Sequence, residues 1–174
     1  MAADWLSIRV ELVTGRGTDF WPRPGRDIAV ASTHMFSQLA DAIDAAFARW
    51  DRAHLHQFEM ADGRLIGIPD EDDEDDEDDE DEVTDEATVS LATLEPGEQF
   101  SYEFDFGDSW KHLCTVGPDL IDPQDVLGIR PRTPLPYLGW GDLPDQHGRR
   151  WADDDGVSAP PPDPGGADLP PGFR

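Results

Sequence analysis

"FSYEFDFGDSWKHLCTV", residues 100–116, sets four aromatic residues at alternate positions, then a Gly-Asp-Ser break, then a second run from Trp110 to Val116. Successive strand residues point to opposite faces, so Phe100, Tyr102, Phe104 and Phe106 share one face and Ser101, Glu103 and Asp105 the other. Gly107, Asp108 and Ser109 are turn residues, and the stretch is expected to be a hairpin. Two registers fit. A two-residue Gly107-Asp108 turn sets Asp105 opposite Trp110 and Glu103 opposite His112, gathering Glu, Asp, Trp, His and Cys on one face. A three-residue turn sets Phe106 opposite Trp110 and Phe104 opposite His112, leaving Glu103 and Asp105 on the Lys111 side. The second buries more apolar surface on a single side and is the expected register. It makes His112 a packed histidine and Asp105 and Asp108 solvent-side or turn-bonding carboxylates. In the first, Glu103, Asp105 and His112 would converge like metal ligands or an acid–base pair.

Upstream, Leu6, Ile8, Val10 and Leu12 alternate with polar residues, the period of a half-buried strand. "GRGTDFWPRPGR" is a loop, and a second short strand is expected around Ile28 and Val30. Gly15 and Gly17 form a Gly-x-Gly after a strand, but "WPRP" follows where a dinucleotide site needs a third glycine and a helix. From Ser32 or Thr33 as N-cap, Phe36, Leu39, Ile43, Phe47 and Trp50 recur at helical spacing, with Arg49 and Arg52 near the helix end. "HLHQFEM" returns to strand alternation and "DGRLIGI" reads as a turn into a short strand. Strand, strand, helix, strand, strand is an α+β order. "PDLIDPQDVLG" has room for one short helix, whereas "IRPRTPLPYLGWGDLPDQHGRRW" is too rich in Pro and Gly for a regular element. That segment is expected to drape over the domain and lend it Leu135, Tyr137, Leu138, Trp140 and Trp151.

Charge bounds the function. Residues 70–82 are thirteen consecutive acids, a self-repelling run with no apolar atom to bury, expected to be a disordered insert. From Ala152 to Arg174 the chain is Pro, Gly and Asp, expected to be a flexible tail. Residues 1–69 and 83–151, about 135 residues, then make one domain with a single core. Removing the run's thirteen charges from the formal −26 still leaves −13. Phosphates and anionic membranes repel such a surface, which argues against direct nucleic-acid or membrane binding and for a basic protein partner. Cys114 is the only cysteine, so an intrachain disulfide and a Cys-based zinc site are both excluded. No apolar run approaches the ~18 residues of a membrane span, and a soluble cytoplasmic protein is expected.

Other motifs carry less. "DFG" is the magnesium-binding tripeptide of kinases, but no glycine-rich or His-Arg-Asp loop accompanies it. His54 and His56 share a face of the expected strand and could bind a metal with His34 or His112, but strand histidines beside Phe58 and Met60 are more often packing residues. Asp142, Asp145 and His147 form a weak metal pattern in a loop, and no nucleophile elbow is present.

Together, "FSQLADAIDAAFARWDRAHLHQFEM" and "YEFDFGDSWKHLCTV" resemble the plasmid pRiA4b ORF-3-like family, whose hallmarks are a helix running into a His-Leu-His strand and a Tyr-x-Tyr-Asp-Phe-Gly-Asp-x-Trp-x-His hairpin. The resemblance covers about residues 4–118: His54, His56, Tyr102, Asp105, Gly107, Asp108, Trp110 and His112 fill the family's positions, and Phe104 replaces its second Tyr. It implies an α+β domain with a β-grasp-like, ubiquitin-like mixed sheet on one main helix. Some relatives near insertion sequences carry a transposon-accessory or resolvase-like label; a serine recombinase needs a nucleophilic Ser amid arginines and a basic DNA-binding domain, and this chain offers neither. Many relatives end in a Cys-rich segment that "YLGWGDLPDQHGRRW" does not reproduce, so no role of that segment carries over.

Three readings follow. The first is a non-enzymatic protein-interaction module, accessory to a plasmid or mobile element, that presents Tyr102, Trp110 and Trp140 to a basic, DNA-associated protein and needs no cofactor. The second is a divalent-metal domain or metal-dependent enzyme using Asp105, Asp108 and His112, with His54 and His56. The third is an acidic DNA mimic.

Overall fold

The computed structural model describes residues 3–69, 82–144, 146, 170 and 172. The expected insert (all but Glu82), the tail (all but Pro170 and Gly172), and the Asp145, His147 and Trp151 assignments lie outside these residues. The strands are β1 (Trp5–Gly15), β2 (Thr18–Asp19), β3 (Gly25–Ala31), β4 (His56–Glu59), β5 (Leu65–Gly67), β6 (Val83–Asp85), β7 (Gln99–Phe104), β8 (Trp110–Val116) and β9 (Leu135–Trp140). The helices are α1 (Phe36–Ala46) and the short α2 (Pro123–Leu127). Eight strands form one mixed sheet in the order β6-β5-β4-β7-β8-β1-β3-β9, with β2 paired to β1. Among the described residues the β5–β6 pair is parallel and the other pairs are antiparallel. A large mixed sheet with few helices is the α+β arrangement expected from the element order.

The alternation in β1 decides the core. Leu6, Ile8, Val10 and Leu12 point to one side and meet Phe36, Leu39, Ile43 and Phe47, with Phe58, Phe100, Tyr102, Phe104 and Trp110 alongside. On the opposite face a smaller cluster of Trp5, Ala29 and Ala31 is covered by Ile121, Leu127 and Tyr137.

Several expectations are corrected. The N-cap of α1 is Met35, not Ser32 or Thr33, because residues 32–34 are a turn: Ser32 N donates to Asp4 O at 2.7 Å and His34 N to Ala31 O at 3.0 Å. Gln38 Oε1 accepts the Met35 N–H at 2.9 Å in place of a hydroxyl cap. The helix stops at Ala46, Ala48 takes a left-handed φ of 56°, and Trp50 turns out to solvent at 67% exposure instead of joining the helical stripe. His54 precedes β4, so His54 and His56 do not share a strand face. Residues 135–140 form a strand despite Pro136, with a register shift against β3 between Asp27 and Ile28; an edge position tolerates a proline that a central strand would not.

The hairpin pairs in neither anticipated register. Phe104 lies opposite Trp110, Tyr102 opposite His112 and Phe100 opposite Cys114. The aromatic residues of β7 do share the face of Trp110 and His112, and Glu103 faces Lys111, but residues 105–109 all belong to the connection. Asp105 is the cause. It adopts φ 59°, its Oδ1 accepts from Gly107 N at 3.0 Å and Asp108 N at 3.3 Å, and its carbonyl accepts from Ser109 N. Phe106 thereby leaves the aromatic face and is 46% exposed.

The rejected Gly-x-Gly also finds its reason. Arg16 at φ 52° and Gly17 at φ 74° make the tight turn from β1 to β2. A Cβ on Gly15 would stand 2.1 Å from the Trp110 ring, so this glycine makes room for the indole.

Candidate functional site

The polar residues of the hairpin, α1 and β4 meet in a network under the helix. Tyr102 and His112 are opposite one another on neighbouring strands and both are fully buried. The Tyr102 hydroxyl donates to Asp44 Oδ1 at 2.7 Å, and Asp44 Oδ2 lies 3.9 Å from Arg52. Burial pushes the Asp44 carboxyl up to about 6, against the pull of the Tyr102 hydrogen bond and of His56, Arg52 and Arg49. Burial and the Asp44 charge push Tyr102 well above its ordinary value.

His112 is held through both ring nitrogens. Nδ1 lies 3.0 Å from the Tyr102 carbonyl and Nε2 lies 3.2 Å from Arg49 Nη2. A carbonyl only accepts and a guanidinium only donates, so the ring is the neutral tautomer with its proton on Nδ1. Burial and the Arg49 charge bring its value down to about 3. Phe47 meets the same ring edge-on at 4.8 Å. Arg49 itself is 3% exposed, its Cζ 4.5 Å from the centre of Trp110 and 5.9 Å from that of Phe104, and burial lowers it to about 10.

At the other side of Tyr102, His56 Nε2 meets both Glu86 oxygens, at 2.8 and 3.0 Å, and its ring tilts over Tyr102 at 5.7 Å. Burial alone would lower His56, but the hydrogen bond and charge of Glu86, with Asp44 and Asp41, outweigh it and raise the imidazole above the usual value. Glu86 also ties the backbone: its N–H reaches Gly67 O at 2.8 Å and its carbonyl accepts from Ser37 N at 3.1 Å.

The residues expected at a metal site are thus spread over separate partners. Asp105 faces His54 Nδ1 at 3.5 Å, while His54 Nε2 is 3.2 Å from Asp51. Asp108 stands 3.9 Å from Arg16, His56 is with Glu86, and His112 is with Arg49. His34 accepts the Ala31 N–H at its Nδ1. Among the described residues, no three His, Cys, Asp or Glu side chains gather into a group that could hold a metal ion. The expected aromatic surface is corrected too: Tyr102 and Trp110 are 0% exposed, Tyr102 bonded to Asp44 of α1 and Trp110 packed against Phe20 and Arg49. Trp140, by contrast, sits on the edge strand, with the Arg9 guanidinium over its ring at 4.9 Å.

Sequence reading missed Asp44, Glu86 and Gln146 and took Arg49 for a helix-end charge. Asp44 carried a signal: four residues after Ala40 and next to Ile43, it falls on the apolar stripe of α1. Glu86 was hidden by the acids before it. Gln146, 1% exposed, accepts from Trp50 N and Asp51 N at 3.0 and 3.1 Å and donates to Asp51 O at 3.0 Å, and no local pattern announced it.

This α+β domain, built on an aromatic hairpin with a buried His–Arg and Tyr–Asp network, is a recognisable class. The chain belongs to the plasmid pRiA4b ORF-3-like protein family, whose model matches residues 6–132. None of the curated proteins compared with the chain matches it. Among solved structures it is similar to the crystal structure of a protein of unknown function, MM3350, from Methanosarcina mazei Go1, at 21% identity and a TM-score of 0.57, over 79% of this chain and 71% of that one. That likeness concerns the fold alone. No described helix is long and apolar enough to cross a membrane.

Proposed function

We propose that this chain is a non-enzymatic protein-interaction module, accessory to a plasmid or mobile element, whose partner is a basic, DNA-associated protein. The observation that carries the reading is where the hallmark residues go. Tyr102, Trp110 and His112 are fully buried, and the hydroxyl and imidazole among them are spent on Asp44, Arg49 and the backbone. The hairpin therefore serves the fold, and the chemistry left to the solvent is dominated by carboxylates, at a formal −26. In this reading the β-grasp-like description amounts to one main helix held against a mixed sheet, with edge strands for a partner to meet.

The test is capture from native lysate, comparing the wild-type chain with one in which residues 70–82 are changed from Asp/Glu to Asn/Gln, at low and high salt, followed by reconstitution with the purified partner. A basic protein held by wild type at low salt, released by salt and lost on neutralisation supports the module. Release of that partner by added DNA would identify the contact as DNA mimicry. Retention indifferent to both salt and neutralisation would sink the reading. So would a tight divalent-ion site abolished by Asp108→Ala, which would favour a metal-dependent role for Asp105, Asp108 and His112.

A further inference from the structure

Arg49 is a buried cation with no carboxylate in ion-pair contact among the described residues; the charge of the buried Asp44 acts on it only at longer range. The chain has 39 acidic residues against 13 basic ones, yet none of the described carboxylates forms an ion pair with this guanidinium. Asp44, whose carbonyl accepts the Arg49 N–H, turns its carboxylate to Tyr102 and Arg52 instead. Arg49 Nη2 is on His112 and Nη1 reaches Phe47 O at 3.4 Å. Its Nε is buried without an acceptor among the described residues, and so is the Nε1 of Trp110, the ring over which the guanidinium lies. Leaving two buried donors unanswered costs free energy.

We propose that Arg49 and Trp110 bind a small anion, a carboxylate or comparable oxyanion, at the buried position beside Nε and Nε1. Guanidinium and indole are donor-only groups, so their partner must accept. A water molecule would accept as well, but it would have two hydrogens of its own to place and would leave the guanidinium charge unchanged. An anion has no hydrogens to place and neutralises the charge. The neutral His112 fits this arrangement, because a second cation is avoided and Arg49 keeps one acceptor of its own. Both donor atoms are closed to solvent, so entry needs local opening. Gln146 is latched onto Trp50 and Asp51, next to Arg49 in the chain. The site does not depend on the protein-interaction reading and stands or falls separately.

The experiment is a titration of the full chain followed in ¹H–¹⁵N spectra, once with sodium formate and once with inorganic phosphate, at fixed ionic strength and neutral pH. The expected result is a saturable shift of both the Trp110 indole N–H and the Arg49 Nε–H. Formate alone would define a small-carboxylate site, and formate and phosphate together a general oxyanion site. Arg49→Lys keeps the charge and removes the Nε donor, and is expected to weaken binding about tenfold, the scale of one charge-assisted hydrogen bond. Absence of a saturable shift with either anion overturns the proposal, as does an unchanged binding curve in Arg49→Lys or a bound-water contact to the indole N–H. Should Arg49→Lys fail to fold, the two wild-type resonances decide alone.

Discussion

The β7–β8 hairpin and strand β9 are both aromatic-bearing strands of one sheet, and they have opposite fates. The hairpin lies mid-sheet between β4 and β1, beneath α1, and Phe100, Tyr102, Trp110, His112 and Cys114 are each 0% exposed. β9 is at the sheet edge, pairs with β3 among the described residues, and leaves Leu138 at 55% exposure. The polar residues follow the same division. In the hairpin the buried hydroxyl and imidazole are tied to distant groups, Tyr102 to Asp44 and His112 to Arg49, whereas on β9 Tyr137 hydrogen-bonds a half-buried Ser7 at 2.6 Å and Trp140 lies under a largely exposed Arg9. The tyrosine and histidine of the hairpin motif therefore mark here a place where the interior needed polar fastening; the accessible edge is carried by residues of no distinctive pattern.

The sharpest way to break this comparison is to truncate one aromatic in each region. Trp110→Ala removes a fully buried indole that fills the notch at Gly15 and covers Arg49, and is expected to cost about 3–5 kcal/mol. Trp140→Ala, at the edge, is expected to cost no more than about 1 kcal/mol. Urea denaturation of the two variants reads the difference. Equal losses would mean that the hairpin does not anchor the core in the way its burial implies.

The second prediction concerns pH. Asp44 titrates at about 6 in the folded chain, above its ordinary value of 3.8, so folding is favoured by its protonation. That contribution is complete below about 3.8 and is lost as pH rises through about 6. Asp44→Asn keeps an acceptor for the Tyr102 hydroxyl and removes the charge. Its stability relative to wild type is expected to rise between pH 4 and 7 by about 3 kcal/mol, the size of a two-unit shift in a largely buried group. His112 works in the opposite sense: with a folded value of about 3, its contribution is complete above about 6.5 and is lost as pH falls toward 3. Paired denaturation curves across this range check both signs. A pH-independent difference between Asp44→Asn and wild type would show that Asp44 is not buried as described.

Much of this fold was legible because it rests on local period. The alternation of β1, the stripe of α1 and the sharing of one face by the hairpin aromatics were each written in ten or so residues. What escaped depends on contacts between segments far apart in sequence. The hairpin register turned on whether Asp105 would close an Asx turn through its own carboxylate, which composition alone does not rank against a shorter loop. The buried network needed Asp44 to face Tyr102, 58 positions away, and Arg49 to face His112, 63 away. Arg49 was read as a helix-end charge because nothing local says that the chain turns back at Ala48. β9 was missed for the converse reason: proline and glycine argue against strands in general, and only its place at the edge makes Pro136 acceptable.

The smallest expected effect tests the other half of the comparison. Leu138 is exposed on β9, opposite Asp27 of β3, on the face of the sheet that α1 does not cover. Leu138→Ser removes apolar surface that water already reaches, so its effect on stability should stay within about 0.5 kcal/mol, and the thermal midpoint should hardly move. The same change at Leu113, 6% exposed in β8, deletes buried apolar volume and places a hydroxyl where leucine was packed; a loss of about 2–4 kcal/mol is expected. Because both leucines lie in strands and receive the same substitution, strand propensity largely cancels and the gap between them measures burial. A large loss at Leu138 would mean that the edge is roofed in solution, and the division between fastening hairpin and accessible edge would then have to be redrawn.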